Sequence, residues 1–175
     1  MLTYESSARG TTGLLSSYQN GLDAAYGYSF DEVGQLTRVT QGTSSIDYAY
    51  DDMNQLVRED DSREGKTRLY EYDLYGNILK KTEYPLATGM PAGTGSANTY
   101  QYNNPNWKDQ LTSYDGKTIT YDTSGNPLTY DGYTYTWTRM SQLGGVSGNG
   151  LSAQYAYDVD GQRTEKTVNG AATEY

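Results

Sequence analysis

Tyr70-Glu71-Tyr72-Asp73-Leu74-Tyr75-Gly76-Asn77-Ile78 is the stretch on which the fold of this chain turns. Aromatics at i and i+2 project from the same face of an extended strand. The next four residues, Asp73 to Gly76, match a type I turn with Asp first and Gly last. Gly76 then takes the left-handed conformation that closes a three-residue hairpin loop with a bulge. Ile78, two positions on, opens the returning strand. One such stretch is one β-hairpin.

The stretch recurs along the whole chain. YSFDEVGQL (28–36), YAYDDMNQL (48–56), ITYDTSGNPL (119–128) and YAYDVDGQR (155–163) carry the same pattern. YQYN…DQL (100–111) has extra residues in its turn, and YTWTRMSQL (135–143) is degenerate, with Thr138 and Ser141 for Asp and Gly. The second aromatic therefore falls at Phe30, Tyr50, Tyr72, Tyr102, Tyr121, Trp137 and Tyr157. The turn residues are Asp31 and Gly34, Asp51 and Asn54, Asp73 and Gly76, Asp122 and Gly125, and Asp158 and Gly161. Asn54 is the one departure among these, and Asn tolerates positive φ best after Gly. Self-similarity at this period marks a repeat architecture.

A second kind of turn alternates with the first. Asn20-Gly21, Asp115-Gly116, Asp131-Gly132, Asn149-Gly150 and Asn169-Gly170 are signals for two-residue type I′ hairpins. Motif turns then line one edge and the Asn-Gly or Asp-Gly turns the other, in an all-β antiparallel meander that forms a curved or spiralling sheet. In LSAQYAY, Leu151, Ala153, Tyr155 and Tyr157 share one face, while Ser152, Gln154 and Ala156 share the other. Cross-strand ladders of rings on the first face stabilise such a sheet.

Composition agrees once the repeat is known. Leu, Ile, Val and Phe number only 24 of 175 residues, a level at which disorder becomes a serious expectation. The chain nevertheless holds 20 Tyr and 2 Trp, which disordered chains lack. With no His and no Cys, triad catalysis, the usual zinc sites, haem ligation and disulfides are excluded. A net charge of −9 disfavours nucleic acid, whose phosphates need clustered Lys and Arg. No apolar run approaches the length of a membrane span, and MLTYESSARG has no signal-peptide pattern.

Three segments interrupt the repeat. Residues 59–68 (EDDSREGKTR) read as a charged, solvated loop, and residues 85–98 (PLATGMPAGTGSAN) as a mobile loop. Residues 144–150 read as a looser turn. None marks a boundary, so residues 1–175 read as a single array of about seven copies with an N-terminal partial copy. The ending Thr173-Glu174-Tyr175 matches the first aromatic of a further copy, as in a fragment of a longer array.

The motif Tyr-x-Tyr-Asp-x-x-Gly-x-Leu resembles the YD repeat of Rhs (rearrangement hotspot) proteins, from about Leu14 to Tyr175. The same repeat occurs in teneurins, wall-associated bacterial proteins and the C components of Tc toxin complexes. The resemblance implies a ribbon that spirals into a hollow β-shell. In bacteria such a shell encloses a toxic C-terminal domain or unfolded effector, and in animals it is a scaffold for adhesion. The implied partners are further YD repeats and a C-terminal effector of the parent chain, and the implied location is secreted or at the bacterial surface. Family shells use many more copies, and the Asp-Pro and Gly-rich core with its self-cleavage site is missing here. No catalytic residue is carried over.

The leading expectation is a non-catalytic wall segment without cofactor or metal. The alternative is a carbohydrate- or protein-binding module using exposed aromatics, with Trp107, in the irregular NNPNWKD turn, as the contact residue. Trp137 occupies the structural aromatic slot. The paired acids Asp51/Asp52, Asp60/Asp61 and Asp158/Asp160 invite glycosidase chemistry, yet Asp51 and Asp158 cap turns and Asp60/Asp61 lie in a charged segment. Open first and last strands predict edge-to-edge self-association.

Overall fold

A computed structural model describes residues 1–7, 10–138 and 141–175. The chain divides into two compact units, Met1–Asn98 and Thr99–Tyr175. In the first unit, β1 (Leu2–Ser7), β2 (Gly10–Tyr18), β3 (Tyr26–Phe30), β4 (Leu36–Gln41), β5 (Ser44–Tyr50), β6 (Leu56–Asp61), β7 (Lys66–Tyr72) and β8 (Ile78–Pro85) each pair antiparallel with their sequence neighbours. β9 (Ser96–Gln101) leads into the second unit, where it pairs with β10 (Ser113–Tyr114), and β10 with β11 (Lys117–Thr118). There β12 (Thr120–Tyr121), β13 (Pro127–Tyr130), β14 (Tyr133–Trp137), β15 (Leu143–Gly148), β16 (Leu151–Tyr157), β17 (Arg163–Val168) and β18 (Ala171–Glu174) form a second meander. The fold is all-β and antiparallel throughout the described residues.

Six of the motif hairpins carry a bulge at one place. Phe30 faces Leu36, Tyr50 faces Leu56 and Tyr72 faces Ile78, each just after a register shift. Tyr121 with Pro127, Trp137 with Leu143 and Tyr157 with Arg163 repeat the arrangement. The extra residue on the returning strand (Thr37, Val57, Leu79, Leu128, Gly144 or Thr164) lies three places beyond the left-handed turn residue and is not itself at positive φ. At the other edge, Asp115-Gly116, Asp131-Gly132, Asn149-Gly150 and Asn169-Gly170 hold both residues at positive φ, as type I′ requires. Asn20-Gly21 does not: only Gly21 has positive φ, and Asp23 N–H closes a turn on the Asn20 carbonyl at 3.2 Å. Seven residues separate β2 from β3 there, too many for a two-residue hairpin to form.

The core is nearly absent. Ala153 is the one buried apolar residue among those described, and the buried polar residues are Asp61, Thr67, Thr82 and Ser113. The chain exposes 11820 Å², whereas two compact bodies of these lengths would expose about 10,000 Å². Rings of Tyr28, Phe30, Tyr48, Tyr50, Tyr70 and Tyr72 share one face of the first unit and stay partly exposed, the state of a wall one sheet thick.

Two of the three interruptions, residues 59–68 and 144–150, differ from their sequence reading. Residues 59–68 are two paired strands joined by a four-residue turn, because opposite charges meet across them: Glu59 faces Arg68 and Asp61 faces Lys66. Arg68 bonds Glu59, Glu64 and Glu83, and Lys66 reaches Glu83 at 2.5 Å. Residues 144–150 are mostly strand β15, paired on both sides. Gly145 is needed there, since a Cβ would stand 3.0 Å from both the Ala153 carbonyl and the Thr136 hydroxyl. Residues 86–95 are irregular but tied to the sheet. Leu86 N–H bonds the Gly65 carbonyl (2.8 Å), and Ala87 N–H bonds the Thr67 hydroxyl (3.0 Å). Arg58 donates to the carbonyls of Ala87 (2.7 Å) and Gly89 (2.8 Å). No helix among the described residues is long and apolar enough to cross a membrane.

Candidate functional site

Five motif turns share one hydrogen-bond pattern, built on the Asp side chain. Asp73 Oδ1 accepts the N–H of Tyr75 (2.8 Å) and of Asn77 (2.9 Å). The Asp73 N–H donates to the Asn77 carbonyl, and Gly76 N–H donates back to the Asp73 carbonyl. Asp31, Asp51, Asp122 and Asp158 repeat the side-chain pair of bonds. Amides that the loop leaves unpaired are thus satisfied locally, as in an Asx turn. Gly76 stands at φ +88°, Gly34, Gly125 and Gly161 are comparable, and Asn54 takes the slot at φ 63°. In the degenerate copy Ser141 takes it at φ 59°, and Thr138 N–H bonds the Gln142 carbonyl at 2.8 Å.

In five copies the second aromatic couples its hairpin to the one before it. Tyr50 donates its hydroxyl to the Leu36 carbonyl (2.8 Å), Tyr72 to Leu56 (2.7 Å), Tyr121 to Leu111 (2.7 Å) and Tyr157 to Leu143 (3.1 Å). Trp137 does the same with its indole N–H, on the Pro127 carbonyl at 2.6 Å. Burial raises the pKa of Tyr50, Tyr72 and Tyr121, so these hydroxyls stay protonated donors. Phe30, which has no donor, occupies the slot in the first motif hairpin.

Turns also stack. A Cβ on Gly76 would lie 3.3 Å from Gln55 Nε2, and one on Gly161 would lie 3.2 Å from Gln142 Nε2. The amide that follows one turn covers the glycine of the next. At Gly125 the cover is Trp107, whose ring carbon Cζ3 would be 2.7 Å from such a Cβ. Trp107 is therefore held against the Gly125 backbone while remaining half exposed (50%). It borders a cleft of about 600 Å³ with Asn104, Asn106, Gln110, Thr112, Thr123 and Tyr121. Asn104 holds the loop by accepting the N–H of Asn106 (3.0 Å) and Trp107 (3.3 Å).

The sequence reading missed a polar clasp on the other face of the first unit. Thr67, wholly buried, donates to Asp60 Oδ1 (2.6 Å) while accepting from Ala87, and Arg58 Nε bonds Asp60 Oδ2 at 2.8 Å. Burial alone would raise the Asp60 pKa, but the bonds from Arg58 and Thr67 outweigh it and hold the carboxyl below its ordinary value. Asp61 is also held low: burial opposes ionisation, and Arg63 with the turn amides favours it more. The signal available was the Arg-Glu-Asp-Asp run, whose alternation places Arg58 and Asp60 on one face. No group of three or more acidic residues among those described forms a metal site.

The turn acids bear on pH. Asn77 holds the Asp73 carboxyl low through its side chain and backbone, and Asn126 does so for Asp122. A folded pKa below the unfolded value contributes stability that is complete above about pH 4 and lost as pH falls through the folded value. Melting temperature is accordingly expected to be flat from about pH 7 to 5 and to fall below about pH 4. A flat profile down to about pH 2 would contradict this assignment.

An antiparallel array of hairpins, most of them Asp-capped and five of them pinned to their predecessors by an aromatic donor, is a repeat wall rather than a domain built around a pocket. No protein-family model matches the chain. The tRNA nuclease WapA of Bacillus subtilis (strain 168) is 36% identical over 129 residues, which is 72% of this chain and 5% of that protein. The tRNA3(Ser)-specific nuclease WapA of Bacillus spizizenii matches with the same identity and coverage. Among solved structures, the Photorhabdus luminescens Tc holotoxin pore with mutated TccC3 superposes over 99% of this chain and 11% of that one (TM-score 0.63, 17% identity). The crystal structure of TcdB2-TccC3-Cdc42 covers 95% of this chain and 11% of its own (TM-score 0.59, 18% identity). The structural likeness establishes the fold, and the motif with the WapA identity establishes kinship. The chain belongs to the Rhs/YD-repeat family, and spans about 5% of the length of the WapA proteins it matches.

Proposed function

We propose that this chain is a non-catalytic segment of a hollow β-shell wall, part of one YD-repeat array whose parent protein encloses a C-terminal toxin or effector outside the cell or at its surface. The observation that carries this reading is the use of the motif's polar groups. The five turn carboxylates accept turn amides, and the aromatic donors hold the preceding hairpin. Repeats of this kind add wall area without building a site. WapA is named a nuclease, and the matching segment is a small part of it; the nuclease chemistry is assigned to a different part of such a parent. In the parent protein, the effector is expected to resist added protease that digests the isolated effector. Equal digestion of both overturns the enclosure. Incubated with total tRNA, the present chain is expected to leave it intact, and cleavage would overturn the non-catalytic reading.

A second reading is favoured by one observation, the half-exposed Trp107 ring fixed at the rim of its cleft. Its flat face and the neighbouring amides of Asn106 and Gln110 suit a neutral sugar or a peptide. Trp107 fluorescence in a Trp137→Phe background is expected to respond to a ligand from a glycan panel, and Trp107→Ala to abolish binding. Silence across the panel removes the sugar.

Each meander also has strands at its margin with one unpaired side, such as β1 and β18. Such edges template pairing with another chain. Sedimentation of the isolated chain is expected to show concentration-dependent association; a sharp monomer at all concentrations refutes it.

A further inference from the structure

The motif turns of the first unit present a row that turn chemistry does not require. Their tips are Glu32-Val33, Asp52-Met53 and Leu74-Tyr75. Val33 is 75% exposed, Met53 63%, Leu74 90% and Tyr75 75%. A type I turn accepts polar residues at these positions, and the Asp122 turn of the second unit has Thr123-Ser124 there. Single exposed apolar side chains are ordinary. Here a large one occurs on each of three successive turns along one edge, a periodic row rather than scatter.

Charge accompanies the row. Residues 31–35, 51–55 and 73–77 contain Asp31, Glu32, Asp51, Asp52 and Asp73, and neither Lys nor Arg. Asp31, Asp51 and Asp73 are bound to turn amides, so they contribute field without being free ligands. Glu32 and Asp52 project from the exposed tips. The edge is therefore apolar and negative at once, and it repels nucleic acid and anionic lipid while attracting a cationic apolar partner.

Spacing selects the shape of that partner. One hairpin is two strands wide, so successive tips are about 9.6 Å apart. Seven residues of α-helix rise about 10.5 Å and return to nearly the same face. Three residues of a strand cover about 10 Å, but the third points to the opposite face. We propose that the motif-turn edge of the first unit docks a basic amphipathic helix with apolar residues at seven-residue intervals, seated on Val33, Met53 and Leu74/Tyr75 and flanked by Lys or Arg facing Glu32 and Asp52. The proposal goes beyond the wall reading and does not depend on it.

The test uses the intact chain and a fluorescein-labelled helical peptide of about 21 residues, with Leu every seventh position between lysines. Anisotropy is expected to report saturable binding that weakens about tenfold or more between about 0.05 and 0.5 M salt. The combined variant Val33→Ser, Met53→Ser, Tyr75→Ser is expected to lose about tenfold or more while keeping the parent's melting temperature, because Ser124 already occupies that turn position. A peptide of the same composition with its leucines displaced is expected to bind equally weakly. Equal binding of the displaced peptide, or unchanged affinity in the folded triple variant, overturns the proposal, as does no binding at millimolar peptide.

Discussion

Arg58→Ala is expected to destabilise the first unit by about 2 kcal/mol and to release residues 86–95 from the sheet. The guanidinium makes three bonds: Nε to Asp60 Oδ2 at 2.8 Å, and its two terminal nitrogens to the carbonyls of Ala87 and Gly89. Its side chain is 21% exposed and that of Asp60 25%, so solvent only partly replaces what is lost. Removing it leaves Asp60 with the Thr67 hydroxyl and takes the donor from the part-buried Ala87 carbonyl and the exposed Gly89 carbonyl. Arg58→Lys keeps the charge but lacks the planar fork, so it is expected to retain only part of the stability. Urea titration with amide exchange at Ala87 checks both claims. Full protection of that amide in Arg58→Ala would show that the loop is held by other means.

Gly76→Val is expected to cost more than about 1 kcal/mol, a fall in melting temperature of about 2–4 °C for each kcal/mol. Two effects coincide at this position. The backbone stands at φ +88°, where a β-branched residue is strained. Gln55 Nε2 also lies 3.3 Å from where the Cβ would be, so that side-chain amide must give by a few tenths of an ångström. Gly76→Asn separates these effects, because Asn54 already holds the same slot at φ 63°. The Asn variant is expected to lose clearly less than Val. An unchanged melting curve for Gly76→Val would refute the turn.

The hairpins were legible because their signals are local. Asp73 and Gly76 lie within one turn, and Asp131-Gly132 or Asn149-Gly150 declare a two-residue loop wherever they occur. Contacts between repeats were not legible in that way. Nothing within YEYDLYGNI says that the Tyr72 hydroxyl seeks the Leu56 carbonyl, or that Gln55 covers Gly76. The charged stretch 59–68 misled for the same reason. Its residues are hydrophilic one by one, but their signs are opposed in mirror order about the Ser62–Gly65 turn, the mark of cross-strand pairing. Trp107 was legible as irregular and partly exposed; its seat on Gly125 was not, since the two lie in different repeats. The Pro and Gly of residues 85–98 spoke for irregular backbone, which is present, while the anchor that restrains it is an arginine almost thirty residues earlier.

A wall with Ala153 as its one buried apolar residue among those described has a calorimetric consequence. Heat capacity rises on unfolding chiefly because apolar surface becomes hydrated, and in this chain much of that surface is already wet in the native state. Its unfolding increment is then below the ordinary value of about 12–15 cal/mol/K per residue. The curve of stability against temperature flattens accordingly, with little loss on cooling. Such a wall keeps nearly the same margin over a wide range of temperatures.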